Sequence, residues 1–95
     1  MNEILLYTTP QCGYCRMAKA LFDRHQLPYR EIDVSADPEM RSRLVEMTGQ
    51  RTVPQIFFGT RPIGGYEELS AIERSGKLFE LAGAPHPSQP EQTPK

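Results

Sequence analysis

Only two of the 95 residues are cysteine, tryptophan is absent, no apolar run exceeds a few residues, and neither sign of charge is in excess, with 11 Lys+Arg against 12 Asp+Glu. Two cysteines allow at most one internal bridge, whereas small secreted domains held by covalent staples carry several, so the count points to a reducing compartment, the cytoplasm. A bilayer-spanning helix needs about 18 to 20 consecutive apolar residues, and nothing here approaches that, so no membrane role is expected. The start, Met1-Asn2-Glu3, has neither a basic segment nor an apolar one, which predicts no secretory leader. Eight of the 11 cations are Arg, but they are scattered from Arg16 to Arg74 rather than gathered into a patch, so nucleic acid is not an expected partner. A chain of this size has room for one core and no more.

What is present divides into a domain and a tail. From Ala84 to Lys95 the chain holds four of its nine prolines and no large apolar residue. Such a segment buries too little to offset its ordering entropy, so residues 84–95 are expected to be a disordered proline-rich tail and residues 1–83 the working domain. Within the domain, the run Ile4-Leu5-Leu6-Tyr7 reads as a buried strand over Glu3 to Thr8. Met17, Ala18, Leu21 and Phe22 then recur at helical spacing between Gly13 and His25, with Pro28 as the expected stop. Ile32 and Val34 alternate with Glu31 and Asp33, which predicts a half-buried second strand, and Tyr29 falls on its other face. Asp37-Pro38-Glu39 supplies a cap, a first-position proline and an acid, opening a second helix that runs to about Thr48 and closes at Gly49. Gln55 to Phe58 and Ile63-Gly64 read as a hairpin around Gly59-Thr60-Arg61-Pro62. Glu67 to Ser75 is a third helix stopped by Gly76, and Leu78, Phe79 and Leu81 pack the end. The order is α/β: a mixed four-stranded sheet with a parallel pair, an antiparallel hairpin and helices on both faces.

Cys12-Gly13-Tyr14-Cys15 stands where the first strand meets the first helix. Residues three apart on a helix lie about 5 to 6 Å apart, within the span a disulfide tolerates, so the pair can close and open without rebuilding the backbone. The unpaired amides at the helix start favour a thiolate at Cys12, with Arg16 and Lys19 adding cationic surroundings, which makes Cys12 the expected nucleophile. Cys15, one turn in, is the expected resolving thiol. A zinc site would need four ligands, and the remaining candidates, His25 and His86, are far off in sequence; haem attachment would need His where Arg16 stands.

Three segments in order, Leu6-Tyr7-Thr8 through Cys12-Gly13-Tyr14-Cys15, Gln50-Arg51-Thr52-Val53-Pro54-Gln55-Ile56-Phe57, and Ile63-Gly64-Gly65-Tyr66-Glu67-Glu68-Leu69, make the chain resemble dithiol glutaredoxins of the small bacterial type. The resemblance covers about residues 3–82. It implies a thioredoxin-like fold, glutathione as reductant and co-substrate, and reduction of protein-glutathione mixed disulfides and protein disulfides by a monomer. It also implies a cis Val53-Pro54 bond and a glutathione site built from Tyr14, Gln50, Arg51, Thr52, Val53, Pro54, Gly65, Tyr66 and Glu67. The glycine pair before a helix suits the γ-glutamyl carboxylate, with Glu67 toward the ammonium group, while Glu68 suits a helix start.

Two departures from the family pattern bear on function. Thr9 stands where many relatives carry Lys, leaving Arg51, with Gln50, for the glycine carboxylate of glutathione. Gly13 stands where the commonest dithiol form has Pro, and some members with Gly hold a [2Fe-2S] cluster between two protomers through the first cysteine. That gives one alternative, a cluster-binding module ligated by Cys12. Another is an electron donor served by a flavoprotein reductase for a partner such as ribonucleotide reductase, which the Gly65-Tyr66-Glu67 corner disfavours.

Overall fold

The computed structural model describes residues 2–84. Four strands and four helices follow the chain as β1 (Ile4–Thr8), α1 (Gly13–Arg24), β2 (Arg30–Asp33), α2 (Pro38–Thr48), β3 (Gln55–Phe58), β4 (Arg61–Gly64), α3 (Tyr66–Ser75) and α4 (Leu78–Ala82). The sheet order is β2-β1-β3-β4, with β1 parallel to β2 and antiparallel to β3, and β4 antiparallel to β3. Burial follows from that order. The central strands β1 and β3 are covered on both faces and carry the continuous runs ILLYT and QIFF, whereas the edge strands REID and RPIG are largely exposed.

Alternation along the strands sorts the core into two layers. Ile4, Leu6, Ile56 and Phe58 pack with Ala18, Leu21 and Phe22 of α1, Leu69 of α3 and Leu78, Phe79 and Ala82 of α4. Tyr7, Val34 and Phe57 face Leu44 of α2, with Ile32 and Val53 at the margin. Helices therefore cover both faces, as the pattern predicts. Tyr29 joins the first layer while Ile32 and Val34 join the second, which is the split read from the alternation in β2.

The helix ends explain the element lengths. Asp37 Oδ1 accepts from the Met40 amide at 3.0 Å and Pro38 opens the turn, so α2 starts where the sequence indicates. Gly49 ends it in the left-handed region at φ 72°. The first helix stops earlier than its proline suggests. Gln26 turns left-handed at φ 56°, and Gln26 and Leu27 amides return to the carbonyls of Asp23 and Phe22 at 3.0 and 2.9 Å, a paired terminator that buries Leu27. The hairpin turn is likewise tighter than expected, because Arg61 and Pro62 belong to β4. Pro62 is tolerated there because β4 is an edge, and the register shifts between Ile56 and Phe57 opposite it. At the far end Gly83 and Ala84 amides bond to Glu80 and Phe79 carbonyls at 3.1 and 2.9 Å, so Ala84, placed by the sequence in the tail, caps α4. The rest of the expected tail, with His86, lies outside the described residues.

Candidate active site

The chain leaves β1 at Thr8, turns through Thr9-Pro10-Gln11, and enters α1 with Cys12 as its N-cap in an extended conformation, φ −97° and ψ 112°. Its sulfur takes the position that a Ser or Asp oxygen usually fills: Cys12 Sγ accepts from the Cys15 amide at 3.1 Å. The Cys12 thiol in turn donates to the Val53 carbonyl at 3.5 Å, tying the helix start to the loop before β3. Both cysteines are free thiols. Cys12 is partly accessible, while Cys15 is 1% exposed. Burial pushes the Cys15 thiol from 9.0 up to about 12, helped by its hydrogen bond to Cys12; the Thr9 backbone and the Lys19 ammonium pull it down by less. One sulfur can be reached from solvent at a helix start and its neighbour is held protonated beneath it.

Across from Cys12 the Val53–Pro54 bond is cis, as the family resemblance implies. Gln55, 2% exposed, donates from Nε2 to the Thr52 carbonyl at 2.7 Å and so clamps the loop across Pro54. Its Oε1 has no hydrogen-bond partner among the described residues. The third segment arrives through Gly64, at φ 117°, and Gly65, which caps α3. Glu68 Oε1 accepts from the Gly65 amide at 2.8 Å, the helix-start role read for it in the sequence. The amides that follow have no partner inside the helix and form a donor corner. Tyr66 also stacks on Tyr14, with ring centroids 6.0 Å apart and planes at 28°, so the first and third segments touch directly.

A groove of about 610 Å³ runs between these parts. Tyr14, Gln50, Thr52, Val53, Pro54, Gly65, Tyr66 and Glu67 all line it, and Cys12 borders it through Val53. Arg51 is placed elsewhere: with Arg41 and Ser42 it lines a smaller hollow of about 210 Å³ toward α2, and its carbonyl accepts from Arg41 Nη2 at 3.2 Å. Gln50, Thr52 and Val53 border both spaces. Arg16 folds back over the first helical residue, where a Cβ on Gly13 would stand 3.9 Å from its Nη2. Lys19 is drawn to Glu31 on β2 at 3.1 Å, and Thr8 Oγ1 donates to the same carboxylate at 2.8 Å. The Thr8 hydroxyl, then Lys19, holds the Glu31 carboxyl below its usual range. His25, expected only to finish a helix, bonds through Nε2 to Glu73 of α3 at 2.7 Å, and Arg24 reaches the same carboxylate at 3.1 Å.

Sequence reasoning missed several of these neighbours. Met47, 52% exposed, and the buried Gln55 both line the groove. The signal for Gln55 was a lone amide leading an apolar strand directly after proline. Lys19 was read only as part of the cationic surroundings of Cys12; its meeting with Thr8 and Glu31 gave no signal, since it depends on β1 pairing with β2 in the register that sets Leu6 against Glu31 and Thr8 against Asp33.

Comparison with known proteins agrees with this geometry. The family model described as Glutaredoxin matches residues 4–63. A glutaredoxin of Pseudomonas aeruginosa is 42% identical over 84 residues, covering 88% of this chain and 100% of that protein. Glutaredoxin 3 of Escherichia coli is 33% identical over 81 residues, covering 85% and 98%. Among solved structures, the solution structure of glutaredoxin from Brucella melitensis superposes with a TM-score of 0.78 at 44% identity over 90% of this chain and 95% of that one. The crystal structure of a buckwheat glutaredoxin-glutathione complex superposes with a TM-score of 0.82 at 33% identity, covering 86% and 77%.

Proposed function

The chain belongs to the glutaredoxin family, thiol–disulfide oxidoreductases of thioredoxin-like fold, and from that premise we propose that glutathione is its reductant and that glutathionylated and disulfide-containing proteins are its substrates. The supporting observation is one groove lined by Thr52 and Val53 and by the donor corner at Gly65, Tyr66 and Glu67, with Cys12 bonded to the carbonyl of its lining residue Val53. Together these offer a thiol for a sulfur, main-chain groups for an extended peptide, and helix-start amides for a carboxylate. The related buckwheat protein was crystallised as a glutathione complex.

In this reading the Cys12 thiolate attacks the glutathione sulfur of a mixed disulfide, forming Cys12–S–S–glutathione and releasing the substrate thiol. A second glutathione then attacks that bond, freeing Cys12 and leaving oxidised glutathione. On protein disulfides, Cys15 attacks the Cys12 mixed disulfide instead and closes the Cys12–Cys15 bridge. Tyr14 and Tyr66 wall the bound tripeptide, Gln50 serves its glycine end, and Arg16 supports the thiolate electrostatically. Members of this family work near about −200 to −230 mV, close to the glutathione couple, so direction follows the surrounding pool of a reducing compartment such as the cytoplasm. Among the described residues no helix is long and apolar enough to cross a membrane.

The test is an assay coupled to glutathione and glutathione reductase, run beside one coupled to thioredoxin reductase. Turnover with the first and little with the second is expected; the reverse would make the domain an electron donor for a partner such as ribonucleotide reductase. The [2Fe-2S] alternative is not favoured. A cluster shared between two protomers would take Cys12 as this chain's ligand, and Cys15, one turn further along α1, offers a competing disulfide that would consume it.

A further inference from the structure

We propose that Gln55 is a positioning residue for docking of the glutathione moiety, its side-chain amide fixing the Thr52-Val53 peptide beside Cys12. The inference rests on the glutathione reading proposed above and adds no chemical step to it. Gln55 opens β3, registered against Tyr7 of β1 and followed by Ile56, Phe57 and Phe58, and at 2% exposure it is as buried as they are. Its Nε2 donates to the Thr52 carbonyl at 2.7 Å, with Thr52 Oγ1 at 3.4 Å. Pro54, between them, has no N–H to contribute, so the bond across it comes from a side chain.

The remainder of the amide works against stability. Oε1 is buried and has no hydrogen-bond partner among the described residues. An unsatisfied acceptor of this kind destabilises a fold, and methionine would fill nearly the same space without one. The one short bond the amide does make goes to Thr52, an exposed residue that lines the groove.

That bond reaches the site through the geometry of a single peptide unit. In a planar trans peptide the C=O and the following N–H point in opposite directions, so a Thr52 carbonyl held toward Gln55 turns the Val53 N–H away from the buried amide. An extended glutathione backbone can pair with it from that side. The Val53 carbonyl already accepts from the Cys12 thiol at 3.5 Å, so the same residue presents main-chain groups to the tripeptide and contacts the sulfur that attacks it. With the peptide plane set in advance, docking does not have to order the loop. A disulfide that carries no peptide beyond its sulfur gains nothing from this arrangement.

The experiment uses the full chain and one cysteine peptide in two forms, capped as the mixed disulfide with glutathione or with mercaptoethanol. Turnover is coupled to glutathione and glutathione reductase, at low peptide concentrations where the first exchange is read. Gln55→Met should lower kcat/KM for the glutathionylated peptide about two- to tenfold, the worth of one hydrogen bond, through KM rather than kcat. It should leave the mercaptoethanol-capped peptide unchanged and unfold in urea no earlier than the wild type. Gln55→Asn, which keeps an amide but is one methylene shorter, should lose the preference in the same way. An unchanged preference in both variants, or an equal loss on both peptides, overturns the proposal. Wild-type protein that does not prefer the glutathionylated peptide would instead overturn the glutathione reading on which it rests.

Discussion

Removing Cys12 isolates the buried thiol and turns its environment into a measurable rate. In a Cys12→Ser variant, alkylation of Cys15 by iodoacetamide should be slow near pH 7. Its pKa of about 12 against an ordinary 9.0 lowers the thiolate fraction about a thousandfold. A more basic sulfur is also more nucleophilic, and a Brønsted slope of about 0.4 to 0.5 returns about 15- to 30-fold, leaving a deficit of about 30- to 60-fold. Loss of Cys12 removes the secondary causes but leaves burial, the largest, so a slowing of at least about tenfold relative to free cysteine is expected, and steric cover can only add to it. The rate should climb about tenfold per pH unit without levelling below about pH 10, and denaturant should abolish the protection. A plateau near pH 8 or 9, or a rate matching free cysteine near pH 7, would refute the assignment of Cys15 as the protonated partner. The sign for stability follows: because the folded pKa is raised, this thiol's contribution is intact below 9.0 and is lost as pH rises through about 12.

The division of labour between the cysteines predicts that Cys12→Ser abolishes all reduction while Cys15→Ser keeps deglutathionylation and loses protein-disulfide reduction, read with a glutathionylated peptide and a protein disulfide in parallel. Gly13 is the first residue of α1, its added Cβ would meet only Arg16 Nη2 within 4 Å, and Cys12 before it is already extended, so Gly13→Pro should raise unfolding stability by about 0.5 to 1 kcal/mol in urea titrations. Glu73 is held below 4.5 chiefly by His25, then Arg24; a lowered folded pKa stabilises above the unfolded value and that contribution is lost as pH falls below it. Glu73→Gln should therefore flatten the acid limb of the stability curve, by about 1 kcal/mol or less for a partly screened pair. Leu69→Ala, at a fully buried position joining α3 to the sheet, should cost about 2 to 5 kcal/mol by the same titration.

How much of this could be read from the letters depends on how local the governing physics is. The central strands and the second helix were legible because continuous apolar runs and Asp37-Pro38 with Gly49 carry their meaning within a few residues. The groove was legible because three short segments carry it, and eight of the expected residues do line it. The end of α1 near His25 was legible, but the left-handed turn at Gln26 that closes it was not, since it lacks glycine's signature and is held by the Gln26 and Leu27 amide bonds and the burial of Leu27. Arg51 was assigned by charge, as the cation left for a carboxylate once Thr9 stands in place of Lys, yet where a loop residue points depends on packing, and it lines the hollow toward α2. Thr8, Lys19 and Glu31, like His25 and Glu73, meet only through strand register and helix packing, which no window of sequence contains.

The use of Cys12 as the cap of α1 gives the reactive atom a second employment. A sulfur bonded to hydrogen, to glutathione or to Cys15 is divalent in every case and keeps lone pairs, so it can go on receiving the Cys15 amide throughout turnover. The scaffold then needs no rearrangement to follow the chemistry. It also means that erasing the thiol with alanine loosens the helix as well as silencing the enzyme, whereas serine spares the architecture, which makes serine the natural first step for any descendant that abandons catalysis while remaining folded.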